Sequence, residues 1–186
     1  MTTAAAAESA ADELRRALAD DAAFEAWYRR TVPRVYAYLL ARCGDQSVAE
    51  DLTQETFLAA IAQRHRFDGR SEVVTWLCGI ARHKLGDHFR ALDRADRRRM
   101  RIAVGGIEMI EPTPSPEPDI AEREAIAAGL RALPPLQRAV LTFVALDGLS
   151  VAEAGRLIGK SHAAAQSLLA RGRESFKRTY RGEGAA

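Results

Sequence analysis

The sequence predicts an all-α protein of two small helical domains joined by a flexible linker. Three observations carry that expectation. Aromatic residues make up 6% of the chain while Ala is abundant, a bias toward helix formers and away from strand formers. A Ser or Asp is followed three residues later by Glu at Ser47/Glu50, Asp119/Glu122 and Ser150/Glu153, the spacing at which cap and Glu satisfy each other's backbone donors. Between Gly105 and Pro118 run two adjacent glycines and then PTPSPEP, which no helix interior accommodates. The 186 residues, 47% apolar, suit one ordinary domain or two small ones with packed cores.

Taken in order, residues 1–21 read as an Ala-rich extension, either a frayed helix or a tail. A first helical domain spans 22–100. Phe24, Trp27, Val35 and Leu39 fall near helical spacing, with Pro33 marking a helix start or a kink. Gly44 and Asp45 break the pattern, and the box at Ser47 predicts a helix to about Gln63. Phe67 to Arg70 is a turn. Ser71 is placed to cap the next helix, which carries Val74, Trp76, Leu77 and Ile80 and ends in an Arg-rich stretch. The linker occupies 101–118, extended where the prolines cluster. Its Ile102, Val104, Ile107, Met109 and Ile110 are more apolar than a plain spacer needs. The second domain spans 119–182. Asp119 opens its first helix and Pro134-Pro135 the next, with Val140, Leu141, Val144 and Leu146. Asp147-Gly148 stops that helix, and Ser150 caps a short one reaching Ile158. Gly159, Lys160 and Ser161 form a three-residue turn before a long helix from His162, in which Ala165, Leu169 and Phe176 are spaced to face the core. Two helices joined by such a turn, after a supporting helix, make a helix-turn-helix.

The net charge of +2 hides its distribution. Residues 90–101 hold six Arg against two Asp, and residues 171–181 hold five basic groups against one Glu. Two separated basic patches fit polyanion contact at two places or, equally, solvated helix ends. Cys43 and Cys78 are far apart and in no CxxC, so neither a disulfide framework nor a zinc module follows; small core residues are expected. The N-terminus carries Glu8, Asp12 and Glu13 where a basic leader is needed, and no apolar run approaches a membrane span. A cytoplasmic protein without membrane insertion is expected.

Enzyme readings fail on spacing. Gly155 to Ser161 (GRLIGKS) resembles a phosphate loop, but only three residues separate its glycines and the segment is helical where a strand is required. His83 and Asp87 share a helix face, yet no third ligand is in register. No nucleophile elbow, zinc-protease motif or dinucleotide fingerprint occurs. No catalytic group, cofactor or metal is expected.

Two segments are more informative. In the helix from Ser47, Asp51, Gln54, Glu55 and Leu58 share one face while Val48, Leu52 and Ala59 can face the core. An acidic-polar face ending in Leu fits a docking surface for a basic helix or a solvated face. From Arg64 to Arg101, basic groups alternate with Phe67, Trp76 and Phe89, and cations with aromatics or tight loops can hold phosphates and trap unstacked bases. Phe67, beside a Gly-containing loop, is the better contact candidate; Trp76 is read as core.

These segments resemble a known family. Asp51 to Phe57 (DLTQETF), Arg66 to Arg70 (RFDGR) and Thr75 to Arg82 (TWLCGIAR) are similar to region 2 of the sigma factors of bacterial RNA polymerase. Leu133 to Arg138 (LPPLQR) with Asp147 to Ser150 (DGLS) is similar to the start of region 4. The resemblance covers about residues 24–99 and 121–180, in the right order. The missing middle domain points to the compact extracytoplasmic-function group, whose members help melt promoters and start transcription.

The resemblance implies roles residue by residue. Asp51, Gln54, Glu55 and Leu58 correspond to the face that docks on the clamp of the polymerase's largest subunit. Phe67, Asp68, Gly69, Arg70 and Ser71 correspond to the loop that pockets a flipped base of the −10 element. His83 lies beside that pocket, where the family often has Asn. Arg82, Lys84 and Arg90 suit promoter phosphates. Lys160, Ser161, His162, Gln166, Ser167, Ala170, Arg171 and Arg173 fall in the helix that reads the −35 element. There the chain has Ala164 to Leu168 (AAQSL) in place of a more basic family pattern, so two cationic positions are lost, while Gln166 retains the chemistry to read adenine. The implied partners are core RNA polymerase (clamp and flap), promoter DNA and an anti-sigma factor. The rival reading is a helix-turn-helix regulator that works without polymerase.

Overall fold

The computed structural model describes residues 14–17, 19–102 and 118–180. The linker core at 103–117 and most of the N-terminal extension lie outside the described residues. So do the side chains of Ile102 and Asp119, and with them the cap expected at Asp119.

All described elements are helical. They are α1 (Asp21–Cys43), α2 (Gln46–Ala62), a 3-10 turn (Arg64–Arg66), α3 (Val73–Ile102), α4 (Pro118–Arg131), α5 (Pro135–Ala145), α6 (Val151–Leu157) and α7 (His162–Tyr180). The chain forms two compact units: residues 1–41 with 45–85, and residues 42–44 with 86–186.

In the first unit, α1 contributes Trp27, Val35 and Leu39 to the core, α2 contributes Leu52, Phe57 and Ala60, and α3 contributes Val73, Leu77, Ala81 and Leu85. The α3 residues recur every four positions, which keeps them on one face of the helix. Trp27 meets Phe57 edge-on at 5.5 Å, and Tyr28 meets it at 4.8 Å. Three buried threonines enter this core at no cost in lost hydrogen bonds. Thr31, Thr53 and Thr56 donate to the carbonyls four residues back, Trp27, Ala49 and Leu52, at 2.8, 2.6 and 2.6 Å, which satisfies each hydroxyl inside its own helix. Residues 14–17 are helical and bury Leu14 and Ala17.

In the second unit, α5 and α6 both pack on α7, and α4 lies along α7 as well. The core gathers Leu130, Leu133, Leu136, Val140, Phe143, Ile158, Ala165 and Leu169. Gly172 lets α7 approach α5 closely: a Cβ there sits 3.2 Å from the Gln137 carbonyl oxygen.

Four local expectations change. Pro33 starts no new helix, because α1 runs unbroken through it from Asp21 to Cys43. The α2 cap is Asp45, two residues before Ser47, and its carboxylate accepts the Val48 N–H at 3.0 Å. The extended conformation of Asp45 follows the left-handed turn at Gly44, φ +68°, so the break and the cap are adjacent. The α3 cap position is Glu72, not Ser71: α3 begins at Val73, and Trp76 N–H bonds the Glu72 carbonyl. Phe89, grouped with the candidate base-contacting aromatics, is fully buried and meets Phe143 at 6.5 Å. Of the two cysteines, Cys43 is buried and Cys78 half-buried, both free.

The box at Ser150 forms in full, with Glu153 N–H donating to the hydroxyl and Ser150 N–H to the Glu153 carboxylate. Gly155 lies inside α6 and Gly159 in the turn after it, at φ +65°. Among the described residues no strand precedes them, so the backbone cradle of a phosphate loop is missing.

Candidate functional site

The face predicted on α2 exists as an exposed surface. Ala49, Leu52, Thr53, Thr56, Phe57 and Ala60 take the buried side of the helix. That turns Asp51, Gln54, Glu55 and Leu58, spaced three and four apart, to solvent. Leu58 is 69% exposed, an apolar side chain standing open beside two carboxylates. Glu55 pairs with Lys84 of α3 at 3.1 Å.

The loop after the 3-10 turn is held from both ends. Phe67 is half-buried against Trp76, ring centroids 5.0 Å apart, so Trp76 supports the loop rather than filling the core. Gly69 is buried with φ +74°, a conformation that costs a side-chain-bearing residue about 1–2 kcal/mol. Asp68 accepts the Arg70 N–H at 3.1 Å and pairs with its guanidinium at 3.3 Å. Ser71 is half-buried at the end of the loop.

Along α3, Arg82 donates to the Tyr38 hydroxyl at 3.3 Å, and His83 is exposed. Arg90 lies in the second unit. It pairs with Asp87 and donates to the Leu157 carbonyl at 2.7 Å. The candidate phosphate cations thus have partners already: Tyr38 for Arg82, Glu55 for Lys84, Asp87 and Leu157 for Arg90.

In the second unit the helix-turn-helix is α6, the turn and α7. Gly155 permits close approach of the two helices, since a Cβ there sits 3.0 Å from the Lys160 carbonyl oxygen and 3.2 Å from Ala165 Cβ. Ser161 caps α7 by accepting the Ala164 N–H at 3.3 Å. Ala165, Leu169 and Gly172 are buried, whereas Ser161, His162, Gln166, Ser167, Ala170, Arg171 and Arg173 are exposed. Lys160 is half-buried. Phe176, expected in the core, is half-buried over Gly129 and stacks on Tyr180.

The sequence-family comparison agrees with this geometry. Residues 27–95 match the family model described as Sigma-70 region 2, and residues 123–176 match Sigma-70, region 4. The chain is 30% identical to the ECF RNA polymerase sigma factor SigM of Bacillus subtilis, over 82% of this chain and 92% of that one. The chain belongs to the ECF sigma factors. It is also 34% identical to SigF of Caulobacter vibrioides, over 74% of each chain. Against BldN of Streptomyces coelicolor it is 37% identical over 83% of its own length, but the match spans only 60% of that relative. The fold is shared with the sigma factor RpoE of Bartonella quintana, solved in complex with the anti-sigma factor NepR. That match has a TM-score of 0.51 and 21% identity, covering 85% of this chain and 96% of that one.

An ECF sigma factor is a DNA-binding subunit of transcription initiation, not an enzyme. Among the described residues no helix is long and apolar enough to cross a membrane, and no cluster of His, Cys, Asp or Glu could hold a metal.

The arginine contacts of this ECF factor's second unit have almost no signature in the sequence. Arg42 donates to Asp147 from Nε at 2.9 Å and from Nη2 at 2.5 Å, and both side chains are buried. Arg138 donates to the Cys43 carbonyl at 2.9 Å, and Arg131 to the Gly44 carbonyl at 2.8 Å. The one local signal is an Arg at the last turn of an otherwise apolar helix end, Leu39 to Cys43.

Proposed function

We propose that this sigma factor docks on the clamp of core RNA polymerase through Asp51, Gln54, Glu55 and Leu58. In this reading the Phe67–Ser71 loop, with His83 beside it, captures a flipped base of the −10 element, and Arg82, Lys84 and Arg90 hold the flanking phosphates. The α7 face from Lys160 to Arg173 reads the −35 element. The working boundaries are a −10 domain over 22–100, a linker over 101–118 that runs toward the RNA exit path of the polymerase, and a −35 domain over 119–182. The protein acts in the cytoplasm under an anti-sigma factor, as the family resemblance implies.

The observation that supports polymerase docking most directly is Leu58, 69% exposed on a face that also presents Asp51 and Glu55. Solvation alone accounts for the carboxylates; a large apolar group exposed at the end of their face fits a partner that covers it. Base flipping costs a few kcal/mol, which pocket contacts and released counterions offset once polymerase holds the factor in place. A regulator that works without polymerase needs the α7 face but neither the α2 face nor the Phe67 loop. Run-off transcription with purified core polymerase decides between them. Promoter-specific transcripts that require this chain are expected. DNA binding with no transcript above core alone supports the regulator.

A further inference from the structure

Beyond Glu25, α1 is a cationic helix: residues 26–44 hold four Arg and no Asp or Glu. Trp27, Thr31, Val35 and Leu39 recur every four positions and are buried, which fixes the inward side of the helix. Arg30, Arg34, Ala37 and Ala41 then form one exposed row. Two contacts register that row against the proposed −10 surface, both inside the first compact unit. Arg34 pairs with Glu72 at 3.8 Å, and Glu72 directly follows Ser71, the last residue of the Phe67–Ser71 loop. Four residues further along α1, about 6 Å on, the half-buried Tyr38 accepts from Arg82 at 3.3 Å. Arg34 therefore stands between the end of the loop and a proposed phosphate cation of α3.

We infer that Arg34 is a further DNA-binding residue, on a helix outside the segments assigned to the −10 element. Its guanidinium grips the backbone phosphate of the single strand next to the nucleotide held by the Phe67–Ser71 loop, and Glu72 keeps it aimed there. The inference rests on the proposed −10 role of that loop.

The Arg34–Glu72 pair is a weak brace. Its side chains are 61% and 76% exposed, and exposed pairs contribute about 0–1 kcal/mol. At 3.8 Å the two groups attract without a hydrogen bond, so the guanidinium donors are not committed to the carboxylate. A phosphate takes two such donors side by side at shorter range. Glu72 also makes the two roles of Arg34 separable. A phosphate grip gains when Glu72 loses its charge, because a competing acceptor and its repulsion of the strand go together. A brace for the loop loses when either partner is removed. The Glu72 backbone carbonyl, which bonds the Trp76 N–H at 3.2 Å, is untouched by a change of side chain.

The test uses holoenzyme reconstituted from core polymerase and the full chain. The probe is a fluorescent single strand carrying the −10 sequence that wild-type holoenzyme selects from a promoter library, with core alone as the blank. Anisotropy is measured across salt concentrations, and thermal melting confirms that each variant is folded. Arg34→Ala is expected to bind about fivefold less tightly at about 0.1 M salt and to flatten the log–log slope by about 0.7, the single-strand increment for one phosphate. Its −10 preference should match wild type, because phosphate contacts carry no sequence information. Arg34→Lys keeps the charge and should keep the slope. Glu72→Gln should bind more tightly than wild type, and most of that gain should disappear when Arg34→Ala is added. Unchanged affinity and slope in folded Arg34→Ala overturn the proposal while the loop assignment stands. Weaker binding by both Arg34→Ala and Glu72→Gln overturns it too, and makes the pair a brace. If wild-type holoenzyme binds the strand no better than core alone, the −10 assignment itself falls and the Arg34 grip with it.

Discussion

Glu55 of α2 and Lys84 of α3 form an ion pair 3.1 Å long, joining the proposed polymerase-docking face to the proposed DNA face. The Glu55 side chain is 54% exposed and that of Lys84 33%. A pair so placed contributes about 0.2–1 kcal/mol to folding. The fold therefore does not depend on it, and Glu55 can be altered to probe docking.

Reversing charge on the α2 face is expected to abolish polymerase binding and spare the fold. Asp51→Arg with Glu55→Arg puts cations against a basic partner, where like-charge juxtaposition costs several kcal/mol. Pull-down with core enzyme, alongside thermal melting of the double variant, reads the two effects separately. Retention of the folded variant at wild-type level would remove the docking assignment.

The proposed −10 loop offers a sharper test, because its backbone and its side chains act differently. Exchanging Phe67 to Ser71 for another loop that keeps glycine at position 69 should change the preferred −10 base and leave polymerase binding alone. Gly69→Ala should instead weaken capture at every promoter, since the buried left-handed turn at φ +74° costs Ala about 1–2 kcal/mol. Selection from a promoter library distinguishes a change of preference from a uniform loss. Identical preferences for wild type and loop exchange would refute the pocket.

Much of this is legible in the sequence, and the omissions have a common cause. Local signals specify local structure: the Ser150/Glu153 box, the Gly159 turn and the Ser161 cap all lie within a few residues of what they control. The exposed α2 face follows from helical period alone. Asp45 displaces Ser47 as the cap because both are capable caps and only the backbone turn at Gly44 decides which is extended. Pro33 reads as punctuation in the sequence, yet helix packing on both sides keeps α1 continuous through it. Phe89 resembles a base-contacting aromatic because it sits among arginines. Its burial depends on Phe143, 54 positions later, and no local pattern carries that pairing. Arg42 and Asp147 are invisible in the sequence for the same reason.

Two helix glycines, one facing open space and one at a helix contact, should respond to alanine with opposite signs. Gly79 lies inside α3, and a Cβ added there meets nothing within 4 Å; Gly79→Ala should stabilise the chain by about 0.5–1 kcal/mol through helix propensity. At Gly172 the added Cβ meets the Gln137 carbonyl oxygen at 3.2 Å, so α7 must lift from α5. Gly172→Ala should destabilise by about 1–3 kcal/mol, the usual cost of overpacking. Urea denaturation of the full chain measures both. Equal effects at the two sites would mean that α7 does not pack on α5 as described.

The proposed recognition helix, α7, is where a single side chain should carry a measurable share of specificity. The Ser161 cap and the Gly159 turn fix how α7 begins, and burial of Ala165, Leu169 and Gly172 fixes which way it faces. Gln166, Ala170 and Arg173 then share an exposed stripe, with Ser167 and Arg171 beside it. Gln166 is the side chain on that stripe with both a donor and an acceptor to offer adenine in the major groove. Gln166→Ala should cost about 1–3 kcal/mol at one −35 position and little at the others. Arg171→Ala or Arg173→Ala should weaken all sequences alike and make the log–log salt slope shallower by about 0.9 each. Arg171 already donates to the Ser167 carbonyl at 3.3 Å, which holds its guanidinium close to the helix rather than free to search. Binding of each variant to a panel of −35 duplexes at fixed salt, repeated across salt concentrations, separates base reading from phosphate contact. A uniform loss for Gln166→Ala, or none, would leave sequence choice to the −10 loop and reduce α7 to a backbone grip.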